Sequence, residues 1–206
     1  MKLYLASGNA HKAAEMNALA QTSGLDVEII SAKAVGGMPP VVEDTGTFVG
    51  NARKKALALK AILPADAWVL SDDSGLCVDA LGGGPGVESA YYAGPQGDGA
   101  DNLRKLVEAM KGVLKESRGA HFTCVLVLIG TNGDESVVEG YCAGYLLGAP
   151  QGGDGFGYDP LFALKGSSLS FAQLGNQLKG QVSHRANAWV KLIEIIKTKG
   201  RLLSAR

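Results

Sequence analysis

The spacing of apolar and polar residues changes period several times along the chain. Lys2 to Ala6 is a short apolar run that ends at Ser7-Gly8-Asn9, and Met16, Leu19, Ala20 and Ser23 then recur at helical spacing until Gly24. This predicts a strand, a loop and a helix. Val27 to Ser31 is short and rich in β-branched residues, Gly36 to Pro40 interrupts it, and Phe48, Ala52, Ala56, Leu59 and Leu63 restore a 3.6-residue period as far as Pro64. A second strand and a second helix follow. Trp68-Val69-Leu70 predicts a strand running into the polar segment Ser71-Asp72-Asp73-Ser74-Gly75, with a separate strand over Leu76 to Leu81 before Gly82 to Gly86.

Leu103, Leu106, Val107, Met110, Val113 and Leu114 lie on one face of a predicted amphipathic helix spanning Asp98 to Ser117. His121 to Gly130 and Glu135 to Leu147 read as a long hairpin closed around Asn132-Gly133. A glycine-rich loop from Gly148 to Asp159 follows, and Trp189, Leu192, Ile193 and Ile196 mark a last helix. Strands separated by helices, with one hairpin, indicate an α/β protein with a mixed sheet. No linker divides it, so residues 1–206 are expected to form one domain.

Composition narrows the class. With 46% hydrophobic and 19% charged residues, 206 residues suffice for a substantial core and are too apolar for a disordered chain. Lys plus Arg and Asp plus Glu number 20 each, so the basic excess of a nucleic-acid binder is absent and no nucleic-acid polymer is expected as partner. No apolar run approaches the roughly 18 residues of a membrane span, the N-terminus lacks a signal-peptide pattern, and Cys77, Cys124 and Cys142 match no zinc or disulfide spacing. A cytoplasmic location, no membrane partner and cysteines acting as small core residues are expected. The 29 glycines are about twice the ~7% average usage, and their clusters are where backbone could closely approach a ligand.

Several constellations could carry chemistry. Ser7-Gly8-Asn9-Ala10-His11-Lys12 stands between a strand and a helix N-terminus, where free amides and the helix dipole favour an anion. A capped helix with a solvated lysine is the other reading. Asp72 and Asp73 should point to opposite sides of an extended segment, so one could meet Mg²⁺ while the other is tied into the scaffold. Glu43 or Asp44 could complete such a site, although Asp-Ser-Gly also forms turns and acids also cap helices. Lys55 lies on the second helix near its acidic start and, taken alone, reads as an ordinary surface lysine. The Gly152 to Pro160 loop flanks Phe156 and Tyr158 with glycines, an arrangement suited to stacking a base against bare backbone, or simply an exposed loop. Lys179, Ser183, His184 and Arg185 offer three donors and a capping hydroxyl. A Walker P-loop and a dinucleotide-binding Gly-x-Gly-x-x-Gly are absent.

Taken in order, Ser7 to Lys12, Glu43 to Ala52 with Lys55, Asp72-Asp73-Ser74-Gly75-Leu76, Gly82 to Gly86, Phe156 to Pro160, and Ser183-His184-Arg185 resemble the inosine triphosphate pyrophosphatase family, in particular its bacterial XTP/dITP branch. The resemblance implies an elongated mixed β-sheet with flanking helices forming two lobes around a central cleft, and a homodimer. It implies Mg²⁺-dependent hydrolysis of ITP, dITP and XTP to the monophosphate and pyrophosphate, which cleanses the nucleotide pool. Asp73 would be the proton acceptor and a metal ligand, with Glu43 or Asp44 as a further ligand. The first loop (Ser7, Gly8, Asn9, Ala10, His11), with Lys12, Lys55 and Lys179, would hold phosphates, and Ser74 would touch the substrate. Phe156 would stack on the purine, Asp159, His184 and Arg185 would read its edge, and Gly157 and Tyr158 would also bind the substrate. A nucleotide-binding regulator without turnover, and a pyrophosphatase for another altered nucleotide, are the competing readings.

Two positions depart from the family pattern. The chain has one residue fewer between Gly46 and Thr47, and Tyr91 stands where many relatives have arginine in Ser-Ala-Arg-Tyr.

Overall fold

The chain runs through β1 (Lys2–Ala6), α1 (Ala10–Thr22), β2 (Glu28–Ser31), α2 (Phe48–Lys60), β3 (Trp68–Val78), α3 (Gly99–Ala109), β4 (Gly119–Ile129), β5 (Glu135–Leu146), β6 (Phe162–Leu164), α4 (Phe171–Val182) and α5 (His184–Ser204) in the computed structural model, which describes residues 1–153 and 155–204. The strands form one mixed sheet in the order β2-β1-β3-β4-β5-β6. β1 pairs in parallel with both β2 and β3, whereas β5 and β6 are antiparallel. The chain divides into two compact units: unit 1 holds Met1–Asp73, Cys124–Gly140 and the chain from Arg185 on, and unit 2 holds Ser74–Thr123 and Tyr141–His184.

Unit 1 has three layers, and β4 shows why. Its side chains alternate, so Cys124, Leu126 and Leu128 join Met16 of α1 and Trp189, Leu192 and Ile196 of α5, while Val125, Val127 and Ile129 join Ala52, Ala56 and Leu59 of α2. Both faces of the sheet are therefore covered by helices, the usual condition of parallel strands. In unit 2, the rings of Phe122 and Phe171 meet Phe162 edge-on at centroid distances of 4.8 and 4.9 Å, with Leu106 and Met110 of α3 in the same core. The buried guanidinium of Arg118 donates to the carbonyls of Met110, Leu146 and Leu147 at 3.0, 2.9 and 2.6 Å, which satisfies three backbone acceptors with one side chain.

Three expectations change. Ser71 to Gly75 is not a break: β3 runs unbroken from Trp68 to Val78. The helix expected over Asp98 to Ser117 ends at Ala109, because Gly112 is left-handed at φ 75 and Leu114 is solvent-exposed. Leu76 to Leu81 is the end of β3 followed by a 3₁₀ turn over Asp79–Leu81. The hairpin closes as expected, with the Gly130 amide donating to the Asp134 carbonyl at 2.9 Å. The pattern missed α4, whose Ser170 and Gln173 form a capping box and whose turns break at Gly175, φ 76. The three cysteines are free, Cys124 and Cys142 buried and Cys77 half-buried. No helix among the described residues is long and apolar enough to cross a membrane.

Candidate active site

Alternation along β3 sends its two adjacent acids to different helices. Asp72 shares a face with Leu70 and meets Lys12 of α1 and Arg185 of α5, with Nζ 2.5 Å from Oδ1 and Nε 2.8 Å from Oδ2. The Cys124 thiol also lies 3.3 Å from Oδ2, and Nη1 of Arg185 donates to Glu15. Burial alone would raise the Asp72 carboxyl strongly, yet the Arg185 and Lys12 charges outweigh it and hold it well below the usual carboxylate range. The two cations thus favour the charged form of Asp72.

Asp73 faces α2. Its Oδ1 accepts from Lys55 Nζ at 2.6 Å, and the same ammonium donates to Glu43 Oε2 at 3.0 Å. Oδ2 of Asp73 is buried and has no hydrogen-bond partner among the described residues. Desolvation dominates here: it pushes the carboxyl up to about 6 against the opposing charges of Lys55 and Lys12, with Glu43 adding to the rise. Burial favours a neutral Lys55, but Asp73 and Glu43 outweigh it and raise the ammonium's pKa. A buried carboxylate oxygen without a donor, beside a second acid on a shared lysine, is a chemically suitable place for a hard cation with oxygen ligands. Asp44 is not in this cluster: it lies on the surface paired with Lys54, which lowers its carboxyl. Glu43 is therefore the acid that the fold brings towards Asp73.

The first loop is already internally bonded. Asn9 caps α1 by accepting from the His11 and Lys12 amides at 2.9 and 3.2 Å, and the Asn9 amide donates to Ser7 Oγ at 3.1 Å. Gly8, Ala10 and His11 are solvent-exposed beside this cap.

Unit 2 gathers a different set. The Asp159 carboxylate accepts from the Phe156 amide at 3.0 Å and from Lys179 Nζ at 2.7 Å, and Lys179 stands 4.7 Å from the centroid of the Phe156 ring. Gly155 is required at its position, since φ is +90 and a Cβ would lie 2.7 Å from Asp159 Oδ2. His184 stacks on Phe122 at 4.8 Å, and Tyr158 spends its hydroxyl on the Ser89 carbonyl at 2.8 Å. Gly157 and Ser74 are half-buried. Lys179, expected among the phosphate-binding lysines, sits with the aromatic residue, and Ser183 links α4 to α5. Arg185, expected at a purine edge, is engaged in unit 1 by Asp72 and Glu15.

The sequence assigns Glu15 no role, presents Cys124 only as a small core residue, and presents Thr45 and Asn51 only inside the Glu43 to Ala52 motif. The signal for Glu15 is its place one helical turn after Lys12 on the same face.

Unit 1 thus carries a buried carboxylate held on one oxygen by Lys55, and unit 2 an aromatic ring beside the Lys179–Asp159 pair, two settings of the kind in which perturbed titratable groups mark functional sites. The chain belongs to the Ham1 family, which matches residues 3–195. A dITP/XTP pyrophosphatase of Opitutus terrae is 58% identical over 94% of this chain and 98% of its own, and that of Leuconostoc mesenteroides is 41% identical over 93% and 94%. Among solved structures, a HAM1 protein from Coxiella burnetii superposes with a TM-score of 0.83 at 33% identity, covering 96% of this chain and 99% of its own. The Ham1 protein of Staphylococcus aureus gives 0.82 at 32%, covering 97% and 100%.

Proposed function

We propose that the protein hydrolyses deaminated purine nucleoside triphosphates, ITP, dITP and XTP, to the nucleoside monophosphate and pyrophosphate with Mg²⁺. The observation that carries this reading is Asp73: one oxygen is fixed by Lys55, the other lacks a donor, and the carboxyl sits near 6, where it holds or releases a proton around neutrality. In the mechanism Asp73 accepts a proton from water as the water oxygen bonds to the α-phosphorus. The bond from that phosphorus to the bridging oxygen breaks, and pyrophosphate leaves with the electron pair. Asp73 and Glu43 are the residues that would hold Mg²⁺, which when bound supplies charge neutralisation and a more acidic water. Lys12 and Lys55 meet the phosphate charge.

Base recognition is assigned to unit 2. Phe156 offers the stacking face, Gly157 bare backbone, and Lys179 and Asp159 a donor and an acceptor beside it. Lys179 is thereby moved from phosphate to base. His184 adds an imidazole on Phe122, and Arg185 first serves to keep Asp72 charged. A cytoplasmic location and a homodimer belong to the same proposal. Pyrophosphate release from ITP, XTP, dITP, ATP and GTP with Mg²⁺ tests it: the first three are expected to turn over at least about 10²-fold faster than ATP, since polar groups left unpaired by the wrong base make discrimination large. Equal rates on ATP and ITP would defeat the reading.

A further inference from the structure

We propose that Asn51 is a positioning residue for Glu43, and that Gly50 provides the space in which it acts, so that the first turn of α2 sets the acidic side of the hydrolytic centre. The inference rests on the reading above, in which Glu43 and Asp73 hold the divalent ion. Asn51 is 2% exposed, and its side chain points away from solvent onto the segment that precedes its own helix. Its Oδ1 accepts from the Thr45 amide at 3.2 Å and from the Thr45 hydroxyl at 2.8 Å. The hydroxyl has one proton and also lies 3.1 Å from the Thr47 carbonyl, so the shorter contact to Asn51 is the stronger claim on it. Thr47 in turn caps α2 by accepting from the Gly50 amide at 3.1 Å.

These contacts fix residues 45 to 47 against the helix, two residues after Glu43. Lys55 stands four residues beyond Asn51, on the same face of α2, and holds Glu43 Oε2 at 3.0 Å and Asp73 Oδ1 at 2.6 Å. One helix face therefore grips the backbone of the acidic segment with Asn51 and its carboxylate with Lys55. A cap alone would need only Thr47. The tie from Asn51 to Thr45 is additional, buried, and directed at the stretch that carries Glu43.

Gly50 makes the approach possible. A Cβ there would stand 2.3 Å from Thr45 Oγ1, 2.6 Å from Thr45 Cβ and 2.8 Å from Thr47 Oγ1. Rotating the threonine hydroxyl away would not relieve the contact with Thr45 Cβ, so any larger residue must push the Thr45 backbone off the helix. Partners that orient metal-binding groups typically account for 10–100-fold in metal affinity or activity.

The test compares Asn51→Ala, Asn51→Asp, Gly50→Ala and Glu43→Gln. Mn²⁺ binding is read by calorimetry on the metal-free protein, and hydrogen exchange is read at the Thr45 amide. Asn51→Ala is expected to speed exchange at Thr45 and weaken Mn²⁺ about 10-fold or more. Gly50→Ala should do the same while leaving the Asn51 side chain in place. Asn51→Asp keeps an acceptor oxygen and should stay within about threefold of the parent, a rescue that a loss of general stability would not show. Combining Asn51→Ala with Glu43→Gln should cost no more than the worse single change, because both act through one carboxylate. Unchanged Mn²⁺ affinity in both Asn51→Ala and Gly50→Ala, with Glu43→Gln weakened, would overturn the positioning role and leave the proposed function standing. Unchanged affinity in Glu43→Gln would remove Glu43 as a ligand and the inference with it.

Discussion

Unit 1 holds the lysine–carboxylate pair Lys55–Asp73 at 2.6 Å and unit 2 the pair Lys179–Asp159 at 2.7 Å, and the two are finished differently. Asp159 Oδ2 takes both the lysine and the Phe156 amide, so the carboxylate closes the turn that presents the Phe156 ring. Asp73 gives one oxygen to lysine and keeps the other buried without a donor. Burying a charged pair is costly unless its remaining hydrogen-bonding capacity is used. The pair in unit 2, tied to a backbone amide as well as to its lysine, therefore reads as shape, and the pair in unit 1, with its second oxygen buried, as the place for chemistry. That contrast makes opposite demands on mutation: changes at Asp73 should strike turnover, and changes around Asp159 should strike binding.

The sharpest break is Asp73→Asn. An amide is nearly isosteric but neither accepts a proton nor charges a metal site, so kcat on ITP should fall about 10²–10⁴-fold with the fold retained. Near-parental activity would end the assignment. The same variant tests the electrostatics of β3 without substrate or metal. The folded carboxyl of Asp73 lies at about 6 against an ordinary 3.8, so the native state binds the extra proton between these values. Stability from this group is greatest below about 3.8 and is lost as pH rises towards 6. Asp72 runs the other way, since its folded value is depressed: its contribution is present above 3.8 and is lost only at lower pH. Denaturant midpoints in chelator at pH 4.5 and 7 should show the parent losing stability relative to Asp73→Asn as pH rises. A parallel course would contradict the raised carboxyl.

Arg185→Ala probes the completed side of unit 1. It leaves Asp72, fully buried, with Lys12 as its remaining cation, and losing one partner of a buried ion pair costs about 3–5 kcal/mol. A clear drop in the denaturation midpoint is expected, with Asp72→Asn in the same chain recovering part of it, because the uncompensated charge is then gone. A midpoint unchanged by Arg185→Ala would mean that the Asp72 pair is not structural. If the folded variant also loses its preference for ITP over ATP, Arg185 additionally reads the base.

Much of this site could be read from the chain, and the failures share a cause. The strand–loop–helix at Lys2 to Thr22 and the hairpin around Asn132-Gly133 were legible because their signals are local: an apolar run, a cap, a turn pair. The opposite facing of Asp72 and Asp73 was legible because period two is a property of any extended backbone. By contrast, Ser71 to Gly75 looked like a break in the strand, since polar residues in sequence normally mean solvent. Here Lys12, Arg185 and Lys55 arrive from three helices to satisfy those charges, and nothing near residue 72 announces them. Nothing near residue 179 announces its partner either, since Asp159 lies 20 residues away. The helix at Gly99 was overextended because Val113 and Leu114 keep the period after Gly112 has already turned the backbone.

Phe156→Ala tests the binding side of the comparison. If the ring is a stacking platform, its removal should weaken ITP by about 1–3 kcal/mol, seen as a rise in KM of roughly tenfold, with kcat little changed because stacking acts equally on ground and transition states. A fall in kcat at constant KM would place Phe156 in the chemistry and erase the division between the units.

The smallest effect is expected from Tyr91→Arg, which installs the arginine of the Ser-Ala-Arg-Tyr pattern from which this chain departs. Tyr91 is 48% exposed, and its ring lies beside Gly97, where a Cβ would come within 3.3 Å of it. A cation already serves this neighbourhood: Lys105 Nζ stands 4.4 Å from the centroid of the Tyr92 ring and donates to the Tyr92 carbonyl at 2.5 Å. A guanidinium at this half-exposed position meets solvent, and surface changes of this kind stay within about 0.5 kcal/mol. Stability should therefore shift by no more than that, and KM for ITP should stay within about twofold. A tenfold fall in KM would show that a side chain at position 91 reaches the phosphates. Phosphate binding would then draw on a residue of unit 2 as well as on Lys12 and Lys55, and assigning charge to one unit and shape to the other would be too simple.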